Sequence, residues 1–335
     1  MKYPVVLLSL LFLVGQVIAA KYTLSDNYQG SSFLNEWDFE AIADPTHGYV
    51  NYVSKSTAQS KGLVSVSGSN FTLRADDTSV PSSSASGRDS VRIQSQKSYN
   101  THVTVINIAH MPKGCGTWPA IWEKGPNWPN NGEVDIIEGA NDVPPNQSTL
   151  HTSSGTSFCP PPSLETPVRS CISQTGCTMP SSRSMTGTAI SSNCDSSGSS
   201  NTGCGVAFPS DDSYGHEFNV EQGGFYAMER TSSFVKVWFW PRGASNIPSD
   251  VKNGAGTINT GKWGTPGAYF PNTNCNIGSH FHDNNIVINL TFCGDLAGNT
   301  YASSGCPGTC NSFVRNNPGQ FTWAYFLIMW MKVYE

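Results

Sequence analysis

Apolar and polar residues alternate with a period of two over nine segments of the 335-residue chain: Leu63 to Val66, Asn70 to Ala75, Ser90 to Ser95, His102 to Ile108, Glu133 to Ile137, Phe225 to Met228, Phe234 to Trp240, Asn285 to Phe292 and Tyr325 to Tyr334. Side chains on a strand point alternately to its two faces, so each segment predicts a strand with one side turned inward. Clusters of Gly, Pro, Asn and Ser separate them, as turns require. No 3.6-residue period is sustained; Asn311 to Asn316 alone predicts a short helix, stopped by Pro318. The expected fold class is therefore all-β, a β-sandwich. Asp77 to Gly87 and Ser181 to Gly203, rich in Ser, Thr and Gly, are expected as surface loops. The apolar tail Phe321 to Met331 ends in Lys332-Val333-Tyr334-Glu335 and lacks a preceding spacer of small residues, so a buried last strand is expected rather than an anchor signal.

The first twenty residues break this pattern. Lys2 precedes an apolar run from Pro4 to Ile18 that closes on Ala19 and Ala20, which predicts a secretory signal peptide over 1–20 and an extracellular protein. The run is too short and too early for a membrane span, and no membrane partner is expected. Residues 21–335 contain no long Pro/Ser/Thr linker and are expected to form one domain, acting as a monomer. Without Lys2 the chain carries 18 basic and 24 acidic residues, scattered rather than blocked, so nucleic acid is not an expected partner. Charged residues make up only 13% while aromatics reach 11%, with nine Trp, a surface suited to a neutral polar ligand that stacks on rings. All ten cysteines (Cys115, Cys159, Cys171, Cys177, Cys194, Cys204, Cys275, Cys293, Cys306 and Cys310) follow the signal, and their even number predicts disulfides of open connectivity. Cys306 and Cys310 lack the paired spacing and His partners of a zinc site, and His280, His282 and Asp283 lack a third convincing ligand set, so no metal or cofactor is expected. Asn70, Asn146 and Asn289 begin glycosylation triplets.

Chemistry concentrates in Gly132-Glu133-Val134-Asp135-Ile136-Ile137-Glu138-Gly139, three acids within six residues with β-branched apolar residues between them. On a regular strand Glu133 and Asp135 share a face, and Glu138, five residues from Glu133, falls on the other. A β-bulge at Ile136-Ile137 would absorb one residue and return Glu138 to the acidic face. The carboxyls of Glu133 and Glu138 could then lean together to about 5 Å, the separation of a retaining glycosidase. Three acids this close on apolar backing do not all ionise cheaply, so one is expected to stay protonated beside an ionised neighbour. Calcium loops place Asp and Asn among glycines in a turn, not Val and Ile in a strand.

Aromatic residues surround the segment. Trp122 and Trp128 lie just upstream and Trp263 elsewhere, expected as sugar platforms, whereas Trp118 has the flanks of a structural ring. His151, in Thr149-Leu150-His151-Thr152, is expected on a neighbouring strand within reach of the acids.

The run Cys115-Gly116-Thr117-Trp118-Pro119-Ala120, then Trp128-Pro129-Asn130-Asn131-Gly132 and the Glu-x-Asp-x-x-Glu segment, resembles glycoside hydrolase family 16, in particular the fungal laminarinase-like endo-β-glucanases. The likeness extends through Gly87-Arg88-Asp89-Ser90-Val91-Arg92, Trp263-Gly264-Thr265-Pro266 and Leu290-Thr291-Phe292-Cys293-Gly294-Asp295. It implies a concanavalin A-like β-jelly-roll sandwich with an open concave cleft, retaining chemistry and β-1,3(4)-glucan as substrate. Carried over residue by residue, it makes Glu133 the nucleophile, Glu138 the acid/base and Asp135 their electrostatic partner, with Arg92, Trp122, Trp128 and Trp263 touching glucan. Arg230 and Leu296 stand where the family pattern would have tryptophan, which puts the packing of the cleft floor in question. Ser153 to Thr175 reads as an extra loop, and its Cys159 and Cys171 are expected to pair, closing a loop worth roughly 3 kcal/mol. Two alternatives remain open: a transglycosylase on the same site, and a glucan-binding lectin that has lost catalysis.

Overall fold

All nine alternating segments form strands, and with strands the pattern did not reveal they build two large antiparallel sheets. The computed structural model describes residues 20–155, 157–158, 172–173, 176–197 and 201–335. The expected signal peptide, apart from Ala20, therefore lies outside the described residues, as does the expected Cys159–Cys171 pairing. Of the extra loop, a two-residue ladder of Ser157–Phe158 with Ile172–Ser173 is described.

One sheet has eight strands in the order Thr188–Ala189, Cys204–Ala207, Gln147–His151, Glu133–Glu138, Thr117–Lys124, Asn284–Phe292, Arg92–Tyr99 and Trp37–Phe39. The first of these is a two-residue, exposed edge strand within the stretch Ser181 to Gly203, expected as a surface loop. The other sheet has nine strands, with Tyr325–Tyr334 at its centre between Lys21–Tyr28 and His102–His110. The apolar tail is thus a buried strand, and no helix among the described residues is long and apolar enough to cross a membrane. The short helix forms over Cys310–Asn316.

A single hydrophobic core fills the space between the sheets, including Ile121, Val134, Ile136, Leu150, Ile286 and Ile288 from the eight-stranded sheet and Ile106, Tyr226, Met228 and Val237 from the nine-stranded one. A second cluster covers the far side of the nine-stranded sheet, where Val103, Val105, Phe225, Trp238 and Trp240 pack against Ile258 and Trp263. Gly224–Arg230 is consequently buried at every position, because it has a core on both faces. Among the described residues four disulfides, Cys115–Cys306, Cys177–Cys275, Cys194–Cys204 and Cys293–Cys310, tie loops to this frame.

Arg230 does not reach any cleft. Its side chain points between the sheets, 2% exposed, and donates to the carbonyls of Tyr99 (2.8 Å) and Phe281 (3.1 Å) while its Nε faces Glu123 Oε2 at 3.4 Å. Glu123 accepts on its other oxygen from His102 Nε2 at 2.7 Å. Burial opposes the charge on Glu123, but His102 and Arg230 outweigh it and hold the carboxyl below its usual range. The difference from the family pattern is therefore an ionic bridge joining the two sheets, not an altered cleft floor. Glu123→Ala leaves Arg230 buried without its counter-ion, and a loss of about 3–5 kcal/mol is expected in denaturant unfolding.

Candidate active site

The acid strand Glu133–Glu138 carries the bulge. Against one neighbour, Asp135 pairs with Thr149 and Glu138 with Gln147, three residues opposite two. Against the other, Asp135 pairs with Trp122, Ile137 with Ile121 and Glu138 with Ala120. One residue is thus absorbed at Ile136-Ile137, where the sequence pattern required it. Three rows of opposed residues result across the sheet: Asn289, Ala120, Glu138 and Gln147; Val287, Trp122, Asp135 and Thr149; Asn285, Lys124, Glu133 and His151. Opposed residues share a face, so Glu133, Asp135 and Glu138 all point away from the core that holds Val134 and Ile136. Their Cα positions span four paired residues, roughly 13 Å. Directly beyond Glu138, Gly139 lets the chain pass the Tyr214 ring, which a Cβ would meet at 2.4 Å.

Partners differentiate the acids. Glu138 accepts from Trp118 Nε1 at 2.9 Å, and Glu133 accepts from Trp128 Nε1. His151 Nε2 lies 3.4 Å from Asp135 Oδ2 and 3.9 Å from Glu133 Oε1, while its Nδ1 faces Asn201 Oδ1 at 2.8 Å and Ser196 Oγ at 3.2 Å. Burial raises the Glu138 pKa, with the Glu133 charge adding to it, although His151 and the Trp118 hydrogen bond pull the other way. Asp135 is pushed well above the carboxylate range by burial and by the charges of Glu133 and Glu138. Burial works against the His151 cation too, but the Asp135 hydrogen bond and the three acids outweigh it and push its pKa up to about 10. Both directions favour protonation of the Asp135–His151 pair beside the other two acids. Ligand atoms of Glu133, Asp135 and His151 also lie within 4.8 Å of one another, close enough to hold a cation, a grouping that residue spacing alone does not reveal.

The structure brings Trp122, Trp128 and His151 to this face, as expected. Trp128 is 43% exposed. Trp122 donates to Asn289 Oδ1 at 2.7 Å, and the Arg92 guanidinium sits 5.0 Å from its ring centroid. Arg92 is only 4% exposed and ion-paired with Glu40, so it backs the Trp122 platform instead of presenting a free edge. Trp263 requires correction: its ring packs edge-on against Trp238 and Trp240 in the cluster behind the opposite sheet, with Nε1 donating to Asp250. Trp118, read as structural, is indeed largely buried yet gives its N–H to Glu138. Leu296 is half-buried in the turn Gly294–Gly298. Two of the three glycosylation triplets fail as acceptors in this fold. Asn289 is 6% exposed, with its amide spent on Trp122 and the Tyr52 hydroxyl, and Asn146 is fully buried; Asn70, half-buried beside a hairpin turn, remains.

A two-sheet sandwich whose outer face carries paired glutamates flanked by indole rings is the site of a carbohydrate-cleaving enzyme. The chain belongs to glycoside hydrolase family 16: residues 37–334 match the family description "XgeA-like, catalytic GH16 domain". It is 42% identical to a probable glycosidase of Schizosaccharomyces pombe over 95% of this chain and 70% of that one. It is 39% identical to a probable endo-1,3(4)-beta-glucanase of Aspergillus clavatus over 98% of this chain, but spans only 51% of that relative's length. Laminarinase 16A from Phanerochaete chrysosporium, solved with β-glucans in both donor and acceptor sites, superposes with a TM-score of 0.87 at 54% identity over 94% of this chain and 100% of that one. An elongating family 16 beta-1,3-glucosyltransferase superposes with a TM-score of 0.82 at 37% identity, again over 94% and 100%. The fold is accordingly the β-jelly-roll, and the protein is a glycoside hydrolase.

The electrostatics yield a stability test. A carboxyl whose pKa is raised by folding contributes stability that is present below its unfolded pKa and lost as pH rises through the folded one. Glu138→Gln removes that loss. Its melting temperature relative to the parent is expected to climb by about 1–3 °C between acid and mildly alkaline pH, read by calorimetry across that range.

Proposed function

We propose that the protein is a secreted, endo-acting β-glucanase that hydrolyses β-1,3- and mixed β-1,3(4)-glucans with retention, by double displacement. The observation that carries this reading is the bulge, which sets Glu133 and Glu138 on one face, with burial raising the pKa of Glu138. Glu133 attacks the anomeric carbon while Glu138 protonates the departing oxygen. Esterification then neutralises Glu133, so the pKa of Glu138 falls and its carboxylate activates the water that releases the sugar. The Asp135–His151 pair, held protonated beside Glu133, spares this face three full negative charges together. Trp122 and Trp128 offer rings to the apolar faces of glucose units. The presence of all three acids in a family of catalytic domains weighs against a lectin.

Transglycosylation has its own support, because a sugar hydroxyl can replace water at the second step and one superposed relative elongates β-1,3-glucan chains. Chromatography of laminarin digests separates the two, since products longer than the substrate arise only by transfer.

Glu133→Ala and Glu138→Ala are each expected to lose about 10³-fold or more of laminarin hydrolysis while keeping the parent's unfolding transition. With an activated aryl β-glucoside, azide should convert Glu133→Ala into a producer of the α-glycosyl azide, because the anion takes the nucleophile's place; an α-azide from Glu138→Ala would reverse the roles. NMR of a fresh digest by the parent should show the β-anomer first, and an initial α-anomer would refute double displacement.

A further inference from the structure

At the bulge, side chains from the adjoining strand take over hydrogen bonding. The Glu138 N–H donates to Asn146 Oδ1 at 3.0 Å, and Asn146 Nδ2 donates to the Ile136 carbonyl at 3.1 Å. That same carbonyl accepts from Ser148 Oγ at 2.9 Å. One carboxamide therefore spans the extra residue, gripping the peptides on either side of Ile137. Asn146 is itself fixed: it is 0% exposed, its N–H donates to Ser213 Oγ at 2.9 Å, and its carbonyl accepts from Phe208 N–H at 2.9 Å. Ser213 in turn donates to the Ser210 carbonyl and accepts at its own carbonyl from the Tyr226 hydroxyl, which belongs to the nine-stranded sheet. The triplet Asn146-Gln147-Ser148, which reads as a glycan acceptor, thus spends both of its outer polar side chains on the acid strand.

We propose that Asn146, seconded by Ser148, is the positioning residue that aims Glu138 at the leaving-group oxygen. The grip closes on the backbone nitrogen of Glu138 itself, whereas Glu133 lies two rows away and has no bond to it. Asn146 touches no reacting atom; it acts by holding the peptide from which Glu138 projects. A side chain of three rotatable bonds can still wander once that peptide is freed, and a displacement near 1 Å at a reacting group costs on the order of 10²-fold in rate. The cost falls on the two roles of Glu138, protonating a poor leaving group and activating water, while attack by Glu133 is spared; kcat/KM reads only the first of the two.

This inference rests on Glu138 being the acid/base, and two substrates test both claims separately. Laminari-oligosaccharides have a sugar leaving group that must be protonated; dinitrophenyl β-laminaribioside has one that departs as an anion and needs little acid assistance. Asn146→Ala is expected to lower kcat/KM on the oligosaccharide by about 30- to 100-fold, mostly in kcat, and on the aryl glycoside by no more than about threefold. Glu138→Ala, run alongside, should show the same split at larger size; if it shows none, the acid/base assignment falls and the proposal with it. If Glu138→Ala splits while Asn146→Ala loses both substrates equally, or neither, the positioning role alone is overturned. Should Asn146→Ala fail to fold, Ser148→Ala decides, since it removes one of two donors to Ile136 and leaves the rest of the grip. A split of about fivefold then supports the proposal, and unchanged discrimination between the two substrates overturns it.

Discussion

Strand side chains alternate strictly, so two residues five apart cannot face the same way unless the chain hides one position. That parity constraint governs the site. The extra residue at Ile136-Ile137 resolves it, and much of the neighbourhood follows. Ile136 and Ile137 both stay in the core, Glu138 returns to the face of Glu133, and Gly139 makes room for Tyr214 where the strand leaves the sheet. The eight-stranded sheet then serves as a ruler. Its rows deliver Trp122 opposite Asp135 and His151 opposite Glu133 without any loop having to place them.

Charge follows from this geometry. A face with three acids, two of them largely removed from water, tolerates the crowd only by protonation and by a cation, and His151 supplies the second. The opposite side of the same strands solves its own problem separately. There Glu123 is enclosed with His102 and Arg230 between the sheets, a balanced cluster with no access to solvent. Adjacent residues Trp122 and Glu123 therefore belong to unrelated environments, one on the face of the three acids and one facing the core.

One-sided burial makes a strand easiest to read. A strand with one wet face, such as Asn70–Arg74, announces itself by alternation, and the acid strand does so through its three carboxylates. Thr117–Lys124 is hidden both by burial at nearly every position, which weakens the period of two, and by Pro119, which demotes a run as a strand; Gly224–Arg230, as buried but without proline, is legible. Trp263 shows the opposite difficulty: a tryptophan after a turn looks alike whether it floors a cleft or plugs a second core, and only the face of Trp238 and Trp240 decides between them. Asn146 was misread for a related reason, since a triplet of residue types does not disclose whether its amide meets water or a neighbouring peptide. The bulge itself was legible because chemistry demanded it, whereas what holds it lies on another strand and depends on register that no local pattern encodes.

The central position of Tyr325–Tyr334 bears on how the molecule is made. Thr23 and Glu335 exchange backbone hydrogen bonds in both directions, at 2.9 and 3.0 Å, and the last strand also completes the pairing of His102–His110 and Asn70–Arg74. The other eight strands of the nine-stranded sheet all precede Tyr325–Tyr334 in sequence, so that sheet lacks an interior member until residues 325–334 have been made. Earlier strands must wait with an open edge. Contacts of such long sequence separation also make folding slow, and the interval during which those edges are available to other chains is correspondingly long.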